Sequence, residues 1–160
     1  MRSVGERANR RVIAPLFWLA IGGPAGLWSY VAIDTLRAKV VDGGPRNRYL
    51  GFASARLDDL ANVVPACLTW LLLALWATLL GEDGGTAFRF GLAVGRLDPV
   101  RSEAWGMATL DAALGLQPGG DLTYRPIDAS TVRRAVRIVR CAGLHAAFLA
   151  IACQIVIARG

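Results

Sequence analysis

Three long apolar runs divide the 160-residue chain, and each run is almost free of charge. They cover roughly residues 12–33, 61–80 and 141–158. A bilayer has a hydrocarbon core about 30 Å thick, which a helix crosses with about 20 residues at 1.5 Å each. The pattern therefore predicts an all-α integral membrane protein. Its three transmembrane helices are expected at about 12–33, 61–80 and 134–158, the last one starting in a basic segment ahead of its apolar run.

A fourth, shorter helix is predicted at about 99–114, because Asp98-Pro99 has the form of a helix start and Gly115 that of a helix end. The apolar side chains of this segment recur at helical spacing and form one stripe. A helix of this length is too short to span a membrane, so it is expected to lie on the membrane surface or against a partner subunit. The residues predicted to dock are Val100, Met107, Leu110 and Leu114.

Small residues predict where the transmembrane helices pack. Gly22 and Gly26 are spaced so that another helix can approach closely, and Pro24 between them predicts a kink. In the third span, Ala142, Ala146 and Ala150 form a second close-packing row. Gln154 is the one strongly polar amide in that span and lies on a different face. A helix with contacts on several faces is typical of a protein embedded in a larger assembly.

Composition agrees with a single membrane domain over residues 1–160, in which 81–130 is a cytoplasmic connection carrying the short helix. The chain is 54% apolar with a mean hydropathy of +0.42, which is unusual for a soluble domain. The net charge of +6 fits arginines that collect at membrane ends. No basic run is interleaved with aromatic residues, so nucleic acid is not an expected partner.

The distribution of basic residues predicts the orientation. The N-terminal tail has four and the 81–140 connection eight, against five in the 34–60 connection and one at the C-terminal end. The positive-inside rule then predicts a multi-pass protein of a bacterial inner membrane with a cytoplasmic N-terminus and a periplasmic C-terminus. The basic tail with the apolar run behind it is expected to act as a signal anchor.

Four arginines precede the third apolar run, namely Arg133, Arg134, Arg137 and Arg140. Arginine side chains at a membrane boundary bind anionic headgroups. The sequence therefore predicts that anionic phospholipids bind here, with a partner protein as the alternative.

His145 is the only histidine and lies inside the third span. Polar side chains at membrane depth are costly unless they are paired, so this histidine is a candidate haem ligand or quinone donor. A six-coordinate haem needs a second ligand, and a partner subunit would have to supply it. The simpler interpretation is a hydrogen bond to a neighbouring helix or to water, with no cofactor bound.

Catalytic and metal-binding motifs are absent from the sequence. Neither a nucleophile elbow nor a phosphate loop, dinucleotide fingerprint or metal spacing occurs. The three cysteines, Cys67, Cys141 and Cys153, lie in apolar runs without metal spacing. No catalytic residue and no metal site are therefore predicted.

These observations lead to a prediction of function. The chain is expected to be a non-enzymatic accessory subunit of a larger inner-membrane complex, energy-transducing (respiratory or photosynthetic) rather than secretory, that binds other membrane subunits through helix packing. One alternative is a redox anchor in which His145 contacts haem or quinone. Further alternatives are a secretion-system component, a small transporter or a lipid-modifying enzyme that works alone.

Overall fold

The computed structural model describes residues 9–41, 48–97, 102–116 and 128–159. A π-helical turn at Asn9–Ile13 leads into α1 (Ala14–Val41), followed by α2 (Arg48–Leu79), α3 (Gly84–Leu97), α4 (Ser102–Ala113) and α5 (Ala129–Arg159). Within the described residues all regular structure is helical. Three helices, in α1, α2 and α5, are long and apolar enough to cross a membrane. The predicted all-α fold with three candidate membrane-spanning helices is therefore confirmed.

Helix α1 differs from the predicted kinked span, because the chain reverses inside it. Gly23 adopts φ 59° and ψ −152°, a region that is essentially restricted to glycine. Arg10 and Asp34, which a straight helix would hold about 36 Å apart, form an ion pair at 3.9 Å. A methyl group added at Gly26 would meet the carbonyl of Trp18. Residues 14–22 and 24–41 are therefore two antiparallel limbs.

Helix α2 begins well before its predicted start near residue 61. It contains Pro65, which has no N–H and leaves the carbonyl of Ala61 without its helical donor. The indole N–H of Trp18 in α1 donates to this carbonyl at 3.1 Å. This hydrogen bond joins the first limb of α1 to α2 at the turn of α2 where Pro65 removes a helical hydrogen bond.

Helices α3 and α4 pack against α2 and cover one of its sides. Helix α3 was not predicted; Asp83 caps its first turn by accepting a hydrogen bond from the backbone N–H of Thr86 at 2.9 Å. A side chain at Gly91 of α3 would collide with Trp70 of α2 and Thr109 of α4, so the glycine permits the close approach of three helices. The core joins α2 to α4 and α5 through residues such as Leu73, Leu110 and Ile138.

The apolar stripe of the predicted surface helix requires a correction. Helix α4 lies within the predicted range 99–114, but Leu110 and Leu114 are 1% and 3% exposed and belong to the core of the chain. Met107 is half-buried, and Val100 lies outside the described residues. Because α2 and α3 already cover this stripe, Leu110 and Leu114 have no free surface on which a partner subunit could dock.

Candidate functional site: a polar cluster between the first two helices

The most unusual feature of the apolar helices is a buried carboxylate held by two arginines. The side chain of Asp58 in α2 is 1% exposed. Its Oδ2 accepts hydrogen bonds from Arg10 and Arg37 at the two ends of the α1 reversal. Arg37 also forms an ion pair with the partly exposed Asp59, with 3.3 Å between Nη1 and Oδ1. Charged groups buried near a membrane interior are costly unless paired, so this arrangement is a candidate functional site.

Uncharged polar groups extend the ion pairs further into the protein. Asn62, one helical turn after Asp58, donates to its Oδ1 at 3.0 Å and to its backbone carbonyl at 2.8 Å. Tyr30 donates to Asn62 Oδ1 at 3.0 Å and lies 3.3 Å from the carbonyl oxygen of Arg10. We name these five residues, Arg10, Tyr30, Arg37, Asp58 and Asn62, the Asp58 cluster.

The local sequence explains why these groups meet. Asp58 and Asn62 share a face of α2 because they are four residues apart. The chain reverses its direction at Gly23, and this reversal places Tyr30 and Arg37 close to Arg10. The cluster therefore depends on the reversal: with a straight α1, Arg10 and Arg37 would lie at opposite ends of a rod.

The hydrogen bonds indicate what Asp58 can do chemically. Both carboxylate oxygens accept hydrogen bonds, Oδ2 from the two guanidinium groups and Oδ1 from the amide of Asn62. A carboxylate held in this way fixes the positions of the guanidinium groups around it. The cluster is thus suited to positioning and to binding a polar group.

An apolar cleft of about 270 Å³ opens beside the cluster. Trp18, Ser29, Tyr30, Ile33, Leu60 and Ala61 line it. Tyr30 belongs to both the cleft and the Asp58 cluster, so a molecule in the cleft lies next to the buried polar groups. Ligand pockets usually measure about 300–1,000 Å³, so this cleft suits a small group or one arm of a larger molecule.

His145 lies against Trp76 of α2, with the ring centroids 6.1 Å apart and the rings nearly perpendicular. It is half-buried and lies outside the Asp58 cluster. Within the described ranges, no group of three or more His, Cys, Asp or Glu side chains could hold a metal ion. Haem or quinone binding at His145 stays a prediction.

The residues predicted to pack between helices lie in two different surroundings. Ala142, Ala146 and Ala150 are buried on the protein side of α5. Gln154 donates to the carbonyls of Leu19 and Ala20 in α1, at 2.7 and 2.9 Å. These contacts are made within the chain, so they give no sign of an external subunit.

The predicted glycine notch requires a correction. Gly22 has no atom within 4 Å of an added side chain, and Gly26 faces the backbone of Trp18 in its own helix. The reversal at Gly23 brings the first limb of α1 to the place where another helix was expected. The two glycines therefore form a tight turn of α1 rather than a notch for a second helix.

The four arginines predicted to bind headgroups divide into two sets. Arg134 forms an ion pair with Glu82 at 3.0 Å, which joins the start of α5 to the end of α2. Arg133, Arg137 and Arg140 are exposed and line one groove. The structure thus separates one structural arginine from three that face outward.

The sequence interpretation missed the Asp58 cluster. In the sequence, Asp58 and Asp59 precede the second apolar run, where carboxylates favour a helix N-terminus, and Arg10 and Arg37 are two of the basic residues counted for the orientation. Asn62 was the available signal, because an amide one turn after an acid at the edge of an apolar run predicts a polar face on that helix. The pairing with residues 10 and 37 could not be obtained from spacing.

Comparison with known proteins assigns the chain to a family. Residues 1–152 match the family model described as CobD/Cbib protein. The "Cobalamin biosynthesis protein CobD" of Klebsiella pneumoniae is 41% identical over 124 residues, 78% of this chain and 39% of that protein. The protein of that name from Geobacter metallireducens is 37% identical, over 87% of this chain and 48% of that protein. The "Cobalamin biosynthesis protein CbiB" of Salmonella typhimurium is 33% identical, over 96% and 53%.

The chain thus spans about half the length of the curated relatives it matches. No solved structure shows significant similarity to it.

These similarities correct the predicted function. The relatives are cobalamin biosynthesis proteins, so the prediction of an accessory subunit in a respiratory, photosynthetic or secretion complex is wrong, and so is the associated role in electron transport. The prediction that the protein is not an enzyme, made from the absence of catalytic motifs, is not supported either, because the relatives are named as biosynthesis proteins. Since the family model covers residues 1–152, nearly the whole sequence, the chain belongs to the CobD/Cbib family.

Proposed function

We propose that this chain takes part in a membrane-bound enzymatic step of cobalamin biosynthesis, and that the Asp58 cluster with its adjoining cleft is where an intermediate binds. Membership of the CobD/Cbib family supports the pathway. The observation that carries the site is the burial of Asp58 between Arg10 and Arg37. Ionisable groups inside membrane helices ordinarily serve function, because their burial is costly.

The chemistry of the two neighbouring surfaces supports binding of one part of a larger molecule. The cleft is apolar along most of its lining, whereas its Tyr30 side adjoins ion pairs and an amide. A side arm with an apolar stem and a polar end would bury its stem against Trp18, Ile33 and Leu60. Its polar end would then meet the cluster. A cobalamin intermediate, which carries many such arms, is the ligand class we assign.

The pathway assignment is tested by deleting the gene in its own host and growing the strain without added cobalamin. We expect cobalamin to disappear, an earlier intermediate to accumulate in mass spectra of cell extracts, and a plasmid copy of the intact gene to restore both. Unchanged cobalamin content in the deletion strain would overturn the assignment.

The site is tested by filling the cleft. Ala61→Phe places a ring in the cleft without changing the backbone carbonyl that accepts from Trp18. Leu57→Phe, one turn earlier and 53% exposed, is the matched control. We expect Ala61→Phe to lower cobalamin output at least about tenfold, equivalent to about 1.4 kcal/mol. The control should behave as the parent, and immunoblots of membranes should show equal amounts of both proteins. Normal output from Ala61→Phe would exclude the cleft.

The contact between Arg10 and Asp34 also supports a topology for the inner membrane. A segment whose two ends touch cannot cross a bilayer, so we assign the crossings to α2 and α5. Both chain ends then lie on one face. The N-terminal tail, the 34–60 connection and the C-terminal end lie on that face and together have ten basic residues, whereas the 81–140 connection on the other face has eight. The positive-inside rule then makes the face with ten basic residues cytoplasmic. The C-terminus is thereby assigned to the cytoplasm, in place of the periplasmic side predicted from three crossings.

A further inference from the structure

We propose that the outward face of α5 is a binding site for an anionic phospholipid, with the headgroup held by Arg133, Arg137 and Arg140. This inference does not depend on the proposed role of the Asp58 cluster. It rests on which arginines have partners, on the face they share, and on the apolar surface that continues from them.

Among the described residues, the three arginines differ from Arg134 beside them in having no acidic partner. Arg10 and Arg37 are paired with Asp58, and Arg134 is paired with Glu82. In the portions of the chain that the structure describes, no carboxylate lies within ion-pair distance of Arg133, Arg137 or Arg140. Three positive charges on one groove therefore attract an anion from outside the chain.

The spacing of these arginines places them on one side of the helix. Residues 133, 137 and 140 follow the i, i+4, i+7 pattern of a single stripe. The opposite side of this part of α5, including Ala135 and Ile138, is buried in the core. The basic stripe therefore faces away from the protein.

The same stripe continues as an apolar surface. Leu144 and Phe148 extend the pattern, and each is 71% exposed. Val132 and Val136 contribute apolar walls to the groove that the arginines line. A basic region followed along one face by exposed apolar side chains matches a phospholipid, whose charged headgroup is joined to hydrocarbon chains.

The dimensions agree with this assignment. Seven residues separate Arg133 from Arg140, a rise of about 10 Å along the helix. The polar layer of one leaflet is about 5–7 Å thick, and arginine stems can extend along the helix to place their guanidinium groups in it. Because the apolar window of α5 follows directly, the arginines lie at the level of the phosphates.

The test is lipid binding to the purified chain in a neutral detergent, measured by native mass spectrometry with phosphatidylglycerol and phosphatidylcholine. We expect the parent protein to retain phosphatidylglycerol preferentially. Each arginine should contribute about fivefold in affinity, equivalent to about 1 kcal/mol. Replacing all three, as Arg133→Gln, Arg137→Gln and Arg140→Gln, should weaken phosphatidylglycerol binding about 100-fold and leave phosphatidylcholine binding unchanged.

A charge-matched control separates this site from the general charge of the protein. Arg56→Gln, Arg89→Gln and Arg159→Gln remove three exposed arginines elsewhere and should preserve the lipid preference. Thermal unfolding of both triple variants shows whether each remains folded. Equal retention of the two lipids by the parent would overturn the proposal, as would a preserved preference in the α5 variant. Displacement of phosphatidylglycerol by equimolar inorganic phosphate would overturn it too, because the ligand would then be a soluble anion.

Discussion

Gln154 donates its side-chain amide to the carbonyl oxygen of Ala20, 2.9 Å away, across 134 positions of sequence. Pro24 is the residue whose N–H would have satisfied this carbonyl in a regular helix, and proline has none. Leu19, whose helical donor would be Gly23, receives a second bond from the same amide at 2.7 Å. One glutamine thereby donates to two carbonyls just before the reversal of α1, and the thiol of Cys153 lies 3.5 Å from the second.

We predict that Gln154→Leu destabilises the folded protein by about 1–2 kcal/mol, because the carbonyls of Leu19 and Ala20 lose the amide that donates to both of them. Reversible unfolding in mixed micelles measures the change. The neighbouring substitution Ile155→Leu, at a residue 47% exposed, should stay within about 0.5 kcal/mol of the parent. Equal stabilities for Gln154→Leu and the parent would show that the amide contributes nothing.

The hydrogen bond from Trp18 to the Ala61 carbonyl predicts that the effect of replacing Trp18 depends on Pro65. Trp18→Phe should cost about 1–2 kcal/mol, since Pro65 leaves that carbonyl without another donor. In a Pro65→Ala background the helix regains an N–H for the carbonyl, so the same substitution should cost less. A double-mutant cycle measures this coupling directly. Identical costs in the two backgrounds would mean that Trp18 acts through packing alone.

Two adjacent glycines provide a matched test of the reversal. Gly23→Ala forces a side chain into a backbone region reserved for glycine and should destabilise the protein by about 1–3 kcal/mol. Gly22→Ala has open space and no positive φ, so its effect on the free energy of unfolding should be small. If both substitutions had the same effect, the chain would not turn at Gly23.

The proposed topology predicts the labelling of single cysteines in a background without Cys67, Cys141 and Cys153. Arg11→Cys and Lys39→Cys, both at exposed positions, should react with a membrane-impermeant maleimide from the same side of sealed vesicles. Asp83→Cys, beyond the far end of α2, should react from the other side. If Arg11→Cys and Lys39→Cys were labelled from opposite sides, α1 would cross the membrane and the proposed topology would be wrong.

The start of α5 predicts a pH dependence. Asp128 accepts hydrogen bonds from the backbone N–H of Thr131 and from the hydroxyls of Ser130 and Thr131, which hold the pKa of its carboxyl well below the ordinary value of 3.8. The resulting stabilisation is present above that value and is lost as the pH falls through the lower pKa of the folded state. Asp128→Ala should therefore lower the unfolding temperature at pH 7 and have less effect at pH 3, as followed by circular dichroism. An equal drop at both pH values would contradict this role.

Much of the fold follows from local chemistry. The apolar runs identify the long helices, and Pro24 and Pro65 identify in advance the two carbonyls that need other donors. What spacing could not supply is the identity of those donors, Gln154 and Trp18, because both contacts join distant parts of the chain. Helix α3 was missed because its glycines lower the helix propensity of the segment, although Asp83 and Thr86 form a recognisable cap.

The predicted function failed for a related reason. The polar and small faces of α5 suggested external subunits, but Gln154 and the Ala142 row find their partners inside the chain. An exposed face remains on the opposite side, with Leu144 and Phe148 turned outward. Hydropathy reports that a helix lies in a membrane; it does not report whether its polar residues are paired internally.

The separation between Gln154 and the reversal of α1 has a consequence during synthesis. At about 5–20 residues per second, a ribosome needs roughly 7–27 seconds to add the residues that lie between them. The nascent α1 therefore enters the membrane with the carbonyl of Ala20 lacking its helical donor, because Pro24 has no N–H. Insertion machinery, water or lipid headgroups must solvate this carbonyl until α5 arrives, so the hydrogen bonds of α1 are completed only after α5 has been made.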